Sequence, residues 1–593
     1  MTLDPRLDAL ARGWRGPLLA AMVALIAGLP GLIALPALDR DEARFAQSTA
    51  QMLETGDLID TRFQDQPRSR EPIGLHWLQA ASVTALSSAE ARRIWAYRVP
   101  SLLGAMLAAA AAAWGAAAFF GPGAGGLAGV ILGSCLILST EAGIGKPDAL
   151  LCGAVTLAMA SLGRIYGGTR NGAIPGGAPA TRRTRLLFWL GLALSVLDKG
   201  VVGPLAIAVT ILALLVWDRR AGWLRGLGWT WGLILFAVLI GPWLAAVTVR
   251  TDGGAWVRDG AMDLAGVGPG GRAPPGLHLL ASPLLIFPFA ALLPAALVEA
   301  WKARAEPGVR FALCWLAPNG LLLEVAPVRL VHQALPLYGA VACLAAFALT
   351  RPLGRWTRMA GMVLSLVSGL AIAAATGVLQ ARIGDASTSP WAVGAGLLTI
   401  AAALAGALFL WSRLRLPGLV ATLGLGIAAH GVLAAGLAPQ LKPLWLSRDA
   451  AGLLTRFNLD PEQGLTPGPV TVVGYAEPSI VFALGSETEL GDVNDAAEAI
   501  LEGSPVLVEQ AADAAFRQTL GANRLKATWV GRASGLDYVT GRPTALNLYR
   551  SDMPPPEPQP LAEPIAESPP QTAPVATAKA DAGGHKNRKT NGK

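Results

Sequence analysis

The chain has 593 residues, 53% hydrophobic and only 15% charged, with a mean hydropathy of +0.46, which excludes a soluble globule and indicates a polytopic α-helical membrane protein. Abundant Ala and Gly suit membrane helices that pack closely through small residues. Lys and Arg outnumber Asp and Glu by 48 to 40, but the cations sit in short loops between apolar runs, so the net charge of +8 implies no nucleic-acid partner.

The chain starts with residues 1–16, where Arg6, Arg12 and Arg15 precede an apolar run at 17–38. That run is long enough to span, and no small-residue cleavage site is obvious, so it reads as a first span and not a cleavable leader. Further spans are expected near 95–119, 124–140, 148–166, 186–197, 201–217, 228–249, 278–300, 310–325, 333–350, 359–380, 390–412 and 417–437. This makes about thirteen helices of ~20 residues each, some shorter. The 186–197 run is too short to span alone; it either pairs with 201–217 across a break at Asp198-Lys199-Gly200 or is tilted and capped. Lys and Arg set the orientation. With the N-terminus in the cytoplasm, the inner loops hold the clusters at Arg182–Arg185, Arg219–Arg225, Lys302–Arg310 and Arg351–Arg358. Residues 39–93 and everything after 438 then lie outside. The four cysteines, Cys135, Cys152, Cys314 and Cys343, all fall in apolar runs and offer neither a disulfide framework nor a zinc spacing.

Between the first two spans, Asp39–Gln79 packs charge densely against a membrane segment, and unpaired charge in hydrocarbon is costly. The pattern predicts one helix over Glu42–Glu54 that ends at Gly56, and another after Pro72, both along the outer surface, with Asp57–Ser69 as a loop. His76 and Trp77 suit the membrane–water boundary. Lys146-Pro147-Asp148, Asp198-Lys199-Gly200, the long loop at 250–277 and Glu324–His332 all fall on the same side as Asp41, and such convergence is what a site between helices requires. From about Leu446 the composition changes. Strand-like runs at Val470–Gly474, Val506–Glu509, Leu525–Val530 and Ala545–Tyr549 alternate with helical patterns at Ala496–Glu502 and Ala511–Leu520, indicating a small α/β domain. The Pro- and Ala-rich tail from Pro554 lacks the apolar content to fold.

Three blocks carry a resemblance: Asp41-Glu42-x-Arg44, Met52-Leu53-x-x-Gly56-Asp57, and the Pro-Ile-Gly-x-x-Trp-Leu-Gln-Ala run from Pro72. With the Gly/Pro-rich segment 270–276, Arg329-Leu-Val-His332, Leu-Pro-Leu-Tyr338 and Gly474-Tyr475-x-Glu477-Pro478-Ser479, the chain resembles bacterial GT-C membrane glycosyltransferases. The group is the protein-mannosyltransferase-like and aminoarabinose-transferase-like one. The resemblance implies a GT-C domain at 17–440 with a periplasmic catalytic loop at 39–93, and the change of composition sets a periplasmic α/β domain at 441–550 and a disordered tail at 551–593. It implies an inner-membrane enzyme that moves a sugar from a polyprenyl-phosphate donor to a periplasmic lipid, glycan or protein. It implies no cofactor and leaves a divalent metal open.

Within that resemblance Asp41 is the expected catalytic carboxylate and Asp148 a second. The substrate-binding set is Glu42, Arg44, Arg70, Glu71, His76, Lys146, Lys199, Arg272, Arg329, His332 and Tyr338. A polyprenyl phosphate is already a stable anionic leaving group, so the site needs cations on the phosphate and a carboxylate on the acceptor hydroxyl. Blander roles compete. Asp41 and Asp148 could be helix caps, Lys199 a boundary lysine that snorkels, Arg329 and His332 loop charges, and His76 an interfacial residue. Glu71 stands where the family has Lys, with Arg70 beside it, and could pair with Arg70 or Arg68, or hold a metal or an acceptor amine. Two rivals remain: a GT-C protein that only binds lipid-linked glycan, and a transporter.

Overall fold

The computed structural model describes residues 5–38, 40–68, 72–168, 181–250, 273–411, 415–461, 468–538 and 540–552. The tail, most of the 250–277 loop, Asp39, Arg70, Glu71 and Arg272 lie outside the described residues. All the apolar runs anticipated as spans are helical. Among the described residues eight helices are individually long and apolar enough to cross a membrane, and a pair bent by 60°, Pro122–Gly133 and Leu136–Ala142, would make nine. The remaining runs are shorter, broken or less apolar. The 278–300 run divides into Leu277–Leu285, a turn through Phe287-Pro288, and Leu293–Lys302. The 186–197 run belongs to a longer helix, Arg182–Lys199, of 18 residues. Its arginine-bearing first turn is helical because Thr181 accepts a hydrogen bond from the Thr184 N–H. Eighteen residues reach ~27 Å, but with charges at both ends this helix is not among the eight apolar enough to cross alone.

Pro147–Gly168 is the central helix, with 94% of its apolar window buried. It packs on Ile94–Phe120 through glycine. A Cβ on Gly104 would stand 2.5 Å from Leu150 Cα, and one on Gly153 would stand 2.5 Å from the Gly104 carbonyl oxygen. Neither position accepts a side chain, so the two backbones touch. The cysteines are all free thiols, buried except for half-buried Cys343.

Between the first two spans, the Asp41–Thr55 helix ends at Gly56, whose φ of 72° is the left-handed closing conformation. The anticipated loop carries a small antiparallel hairpin, β1 (Arg62–Phe63) and β2 (Gln66–Pro67), before the Gly74–Leu86 helix. The Asp41 helix is not a surface helix on all sides. Ala43, Ala46 and Ala50 are fully buried against Val83, Tyr97 and Phe482, the last from the far C-terminal part of the chain.

That part begins with the Leu446–Arg456 helix and builds a five-stranded sheet from β3 (Thr471–Val473), β4 (Glu489–Gly491), β5 (Val506–Glu509), β6 (Ala527–Leu536) and β7 (Pro543–Ser551). The order is β4-β3-β5-β7-β6. β3 pairs in parallel with β4 and β5, while β7 is antiparallel to β5 and β6. Alternate residues serve two cores. Val472 and Leu507 face Leu446, Leu454 and Ile480, whereas Val473 and Val508 face Ile500 and Phe516.

Candidate active site

Asp41 is the first residue of its helix and is exposed. The cap position belongs to Arg40, at φ 64°, and no side chain caps the helix, so capping does not account for Asp41. Among the described residues its carboxylate makes no hydrogen bond or ion pair, and it is close enough to His332 to interact electrostatically.

The next residue behaves oppositely. Glu42 is fully buried and paired at both oxygens with Arg98, Nε to Oε1 and Nη2 to Oε2, each at 2.7 Å. Its oxygens also accept the N–H groups of Leu38 at 2.8 Å and Gly145 at 2.6 Å. Arg98 in turn donates to the carbonyls of Gly31, Leu32, Leu35 and Pro36. Glu42 is therefore fully satisfied by protein groups. It fixes Asp41 relative to the first span and to Gly145, the neighbour of Lys146.

Lys146, Asp148, Lys199 and His332 come together as anticipated from their positions at helix ends. Lys199 Nζ donates to Asp148 Oδ1 at 2.6 Å, Lys146 Nζ lies 3.6 Å from Oδ2, and His332 Nε2 lies 4.0 Å from it. Lys146 also reaches Glu141 Oε2 at 3.3 Å. Burial disfavours charge on Lys146, but Glu141 and Asp148 outweigh it and raise its pKa, so the amine stays protonated. Two lysines thus balance two carboxylates, and Lys199 keeps 27% of its side chain exposed. The two aspartates differ in kind. Asp148 is held in a charged network, whereas Asp41 is open.

Other expected residues have structural partners. His76 is buried, not interfacial, with Nδ1 2.8 Å from Thr49 Oγ1 and its ring 5.6 Å from that of Phe45. Burial, reinforced by the Arg68 charge, pushes its pKa down to about 3, so it is neutral. Trp77, beside it, is exposed and donates to the Leu58 carbonyl. Arg329 donates to the carbonyls of Glu324 and Ala273, and Glu324 accepts from the N–H groups of Gly276 and His278. That knot ties Ala273, Gly276 and His278 to the Glu324–Arg329 segment. Tyr338 is buried in the main hydrophobic core. Arg44 is half-buried and lies near Glu477. Arg70, Glu71 and Arg272 are outside the described residues.

Three further residues shape the site without having been given a role from the sequence. Glu141 and Arg98 are charges inside otherwise apolar helices, which is itself a usable signal. Glu477, buried in the C-terminal sheet unit, lies 3.9 Å from Arg40 Nε. Burial raises its pKa, opposed by Arg40 and Arg44. A polar lock reinforces this contact. Arg92 donates to Glu54, Gln47 and the Phe482 carbonyl, Gln47 Nε2 donates to Ser486 Oγ at 2.7 Å, and Ser486 donates to Glu54 at 2.5 Å.

No family model matches the chain. It is similar to the undecaprenyl phosphate-alpha-4-amino-4-deoxy-L-arabinose arabinosyl transferase of Pseudomonas paraeruginosa, 28% identical over 308 residues, 50% of this chain and 52% of that protein. A Pseudomonas fluorescens protein with the same description, numbered 2, is 26% identical over 356 residues, 57% of this chain and 55% of that one. The chain spans about half the length of the curated relatives it matches. Among solved structures it resembles ArnT from Cupriavidus metallidurans in the apo state, with TM-score 0.70, 19% identity, and coverage of 89% of this chain and 97% of that one. The same protein bound to undecaprenyl phosphate gives TM-score 0.70 at 18% identity over the same shares. The chain has that fold, a polytopic GT-C membrane bundle with a small C-terminal α/β unit.

Proposed function

We propose that the chain is an inner-membrane glycosyltransferase that moves a sugar from a polyprenyl-phosphate donor to lipid A, another glycan or a protein on the periplasmic side. The observation that carries this reading is the open carboxylate of Asp41 beside the Lys146–Asp148–Lys199–His332 cluster. An acceptor hydroxyl beside Asp41 would be oriented and deprotonated by it, while the leaving phosphate meets Lys199, the cluster's most exposed ammonium. Because Lys146 and Lys199 are already balanced by Glu141 and Asp148, further positive charge for the phosphate falls to Arg70 and Arg272. Asp148 is a poor base in this arrangement, since its negative charge is taken up by Lys199. Its role is to hold the two lysines. The relatives described as acting on undecaprenyl-phosphate aminoarabinose, and the neighbour bound to undecaprenyl phosphate, support this donor class. Attack by one hydroxyl on one face, with phosphate leaving from the other, inverts the anomeric centre.

The test is transfer by purified protein in proteoliposomes containing undecaprenyl-phosphate-linked sugar and lipid A, with products read by mass spectrometry. Asp41→Asn should cut transfer ~10²–10⁴-fold while the protein stays folded and binds undecaprenyl phosphate. Near-normal transfer by that variant would remove Asp41 from the chemistry. Donor binding by the parent without transfer to any acceptor class would favour the non-catalytic reading.

A further inference from the structure

The bundle has a cleft at the end away from Asp41. Its volume is about 660 Å³, and its walls include Phe119, Phe120, Pro122, Phe347, Glu306 and Arg351. Arg98 lies at the Asp41 end of the Ile94–Phe120 helix, so Phe120, 22 residues beyond it (120 − 98), is ~33 Å away along the axis. Exposed tryptophans surround the cleft end. Trp301 and Trp356 flank Glu306 and Arg351 in sequence, Trp217 lies under Arg310, and Trp411 lies under Arg358. Tryptophan and arginine gathered at helix ends mark the level of lipid headgroups.

The charges in the cleft are of both signs. Arg351 donates to Glu306, and the two side chains remain 41% and 44% exposed. Arg351 also stacks on the Phe347 ring, with 5.0 Å to its centroid. Each charge is held in place from one side and open on the other. A narrow apolar cavity of about 20 Å³ shares Phe119 and Phe120 with the cleft, but that is roughly the room for one water, not for an acyl chain. A ligand seated here would place a polar head in the cleft and keep its apolar part in the surrounding bilayer.

We propose that this cleft binds the headgroup of a zwitterionic aminophospholipid, with its phosphate on Arg351 and its primary ammonium on Glu306. A guanidinium presents a planar fork that matches phosphate oxygens. A primary ammonium donates hydrogen bonds to a carboxylate, which a quaternary ammonium cannot do. An anionic headgroup without an amine would draw Arg351 from Glu306 and give that carboxylate no ammonium in exchange. Phosphatidylethanolamine has the required pair of charges, phosphatidylcholine lacks the donor, and phosphatidylglycerol lacks the cation. The site lies apart from the transfer chemistry, and its occupancy does not depend on that reading.

Native mass spectrometry of the delipidated full-length protein, titrated with these three lipids of matched chains, tests the assignment. Phosphatidylethanolamine should bind about tenfold more tightly than either of the others. Arg351→Gln and Glu306→Gln should each erase that preference. Both side chains are nearly half exposed, and the size-exclusion profile of each variant confirms that it is folded. Equal binding of the three lipids, a preference for phosphatidylglycerol, or an ethanolamine preference that survives both substitutions would overturn the proposal.

Discussion

Arg98→Leu tests the buried ion pair that holds Asp41 in place. The substitution strands Glu42, a fully buried carboxylate, and frees four carbonyls that Arg98 now satisfies. Breaking a buried pair from one side costs ~3–5 kcal/mol. The Leu38 and Gly145 N–H groups still solvate Glu42 and pull the cost down, while any carbonyl left without a donor adds ~1–3 kcal/mol. We expect a net loss of about 4 kcal/mol. Glu42→Gln should cost less, ~1–3 kcal/mol, because Arg98 keeps its carbonyl acceptors. The double variant Glu42→Leu/Arg98→Leu should fall short of the sum of its singles by up to ~3 kcal/mol, since the second change removes a charge already stranded. The assay is survival of the monodisperse size-exclusion peak after heating in detergent. Arg98→Leu melting with the parent, or strict additivity in the cycle, would refute the pair as a stabilising contact.

Lys199→Met should raise the KM for the donor at least tenfold with a smaller change in kcat, read from transfer kinetics, because it removes the exposed ammonium and leaves Asp41 in place. Thermal stability should fall on acidification below the ordinary imidazole value of 6.5, by ~1.4 kcal/mol per pH unit, as the unfolded chain takes up a proton that buried His76 refuses down to about 3. The sign is fixed by the depressed folded value. His76's contribution is complete above 6.5 and is lost as pH falls, so a His76→Gln variant should show a flatter melting profile over that window. A reporter fused after Leu446 should be active only outside the cytoplasm, and cytoplasmic activity would overturn the orientation drawn from the arginine-rich loops.

The spans could be read from the sequence because an apolar run of spanning length has few other uses. Lys146, Asp148, Lys199 and His332 could be grouped because each stands at a helix end on one side of the bundle. The split between Asp41 and Glu42 could not be read, since adjacent acids look alike until Arg98, 56 residues away, takes one of them. His76 reads as interfacial because Trp77 does; the two point only about 100° apart on one helix, and only packing against Thr49 and Phe45 decides which is inside. β4 has just three residues, Glu489-Leu490-Gly491, with no alternating pattern, and owes its strand geometry to β3 beside it. The Glu477 contact and the Arg92 lock join segments hundreds of positions apart, where no local pattern signals the pairing.

The Gln47–Ser486 bond spans 439 positions of sequence, and that interval is also a delay in time. At about 5–20 residues per second, the ribosome takes roughly 20–90 s to travel from one partner to the other. Throughout that interval the Asp41 helix is already made, yet the face that will rest on Phe482, Ser486 and Glu477 has nothing to cover it. The half-made protein therefore carries Asp41 on an unfinished support. Completion of the site belongs to the last stage of synthesis, and chains that stop before the sheet unit should reach the membrane with their spans formed but Asp41 unheld on one side.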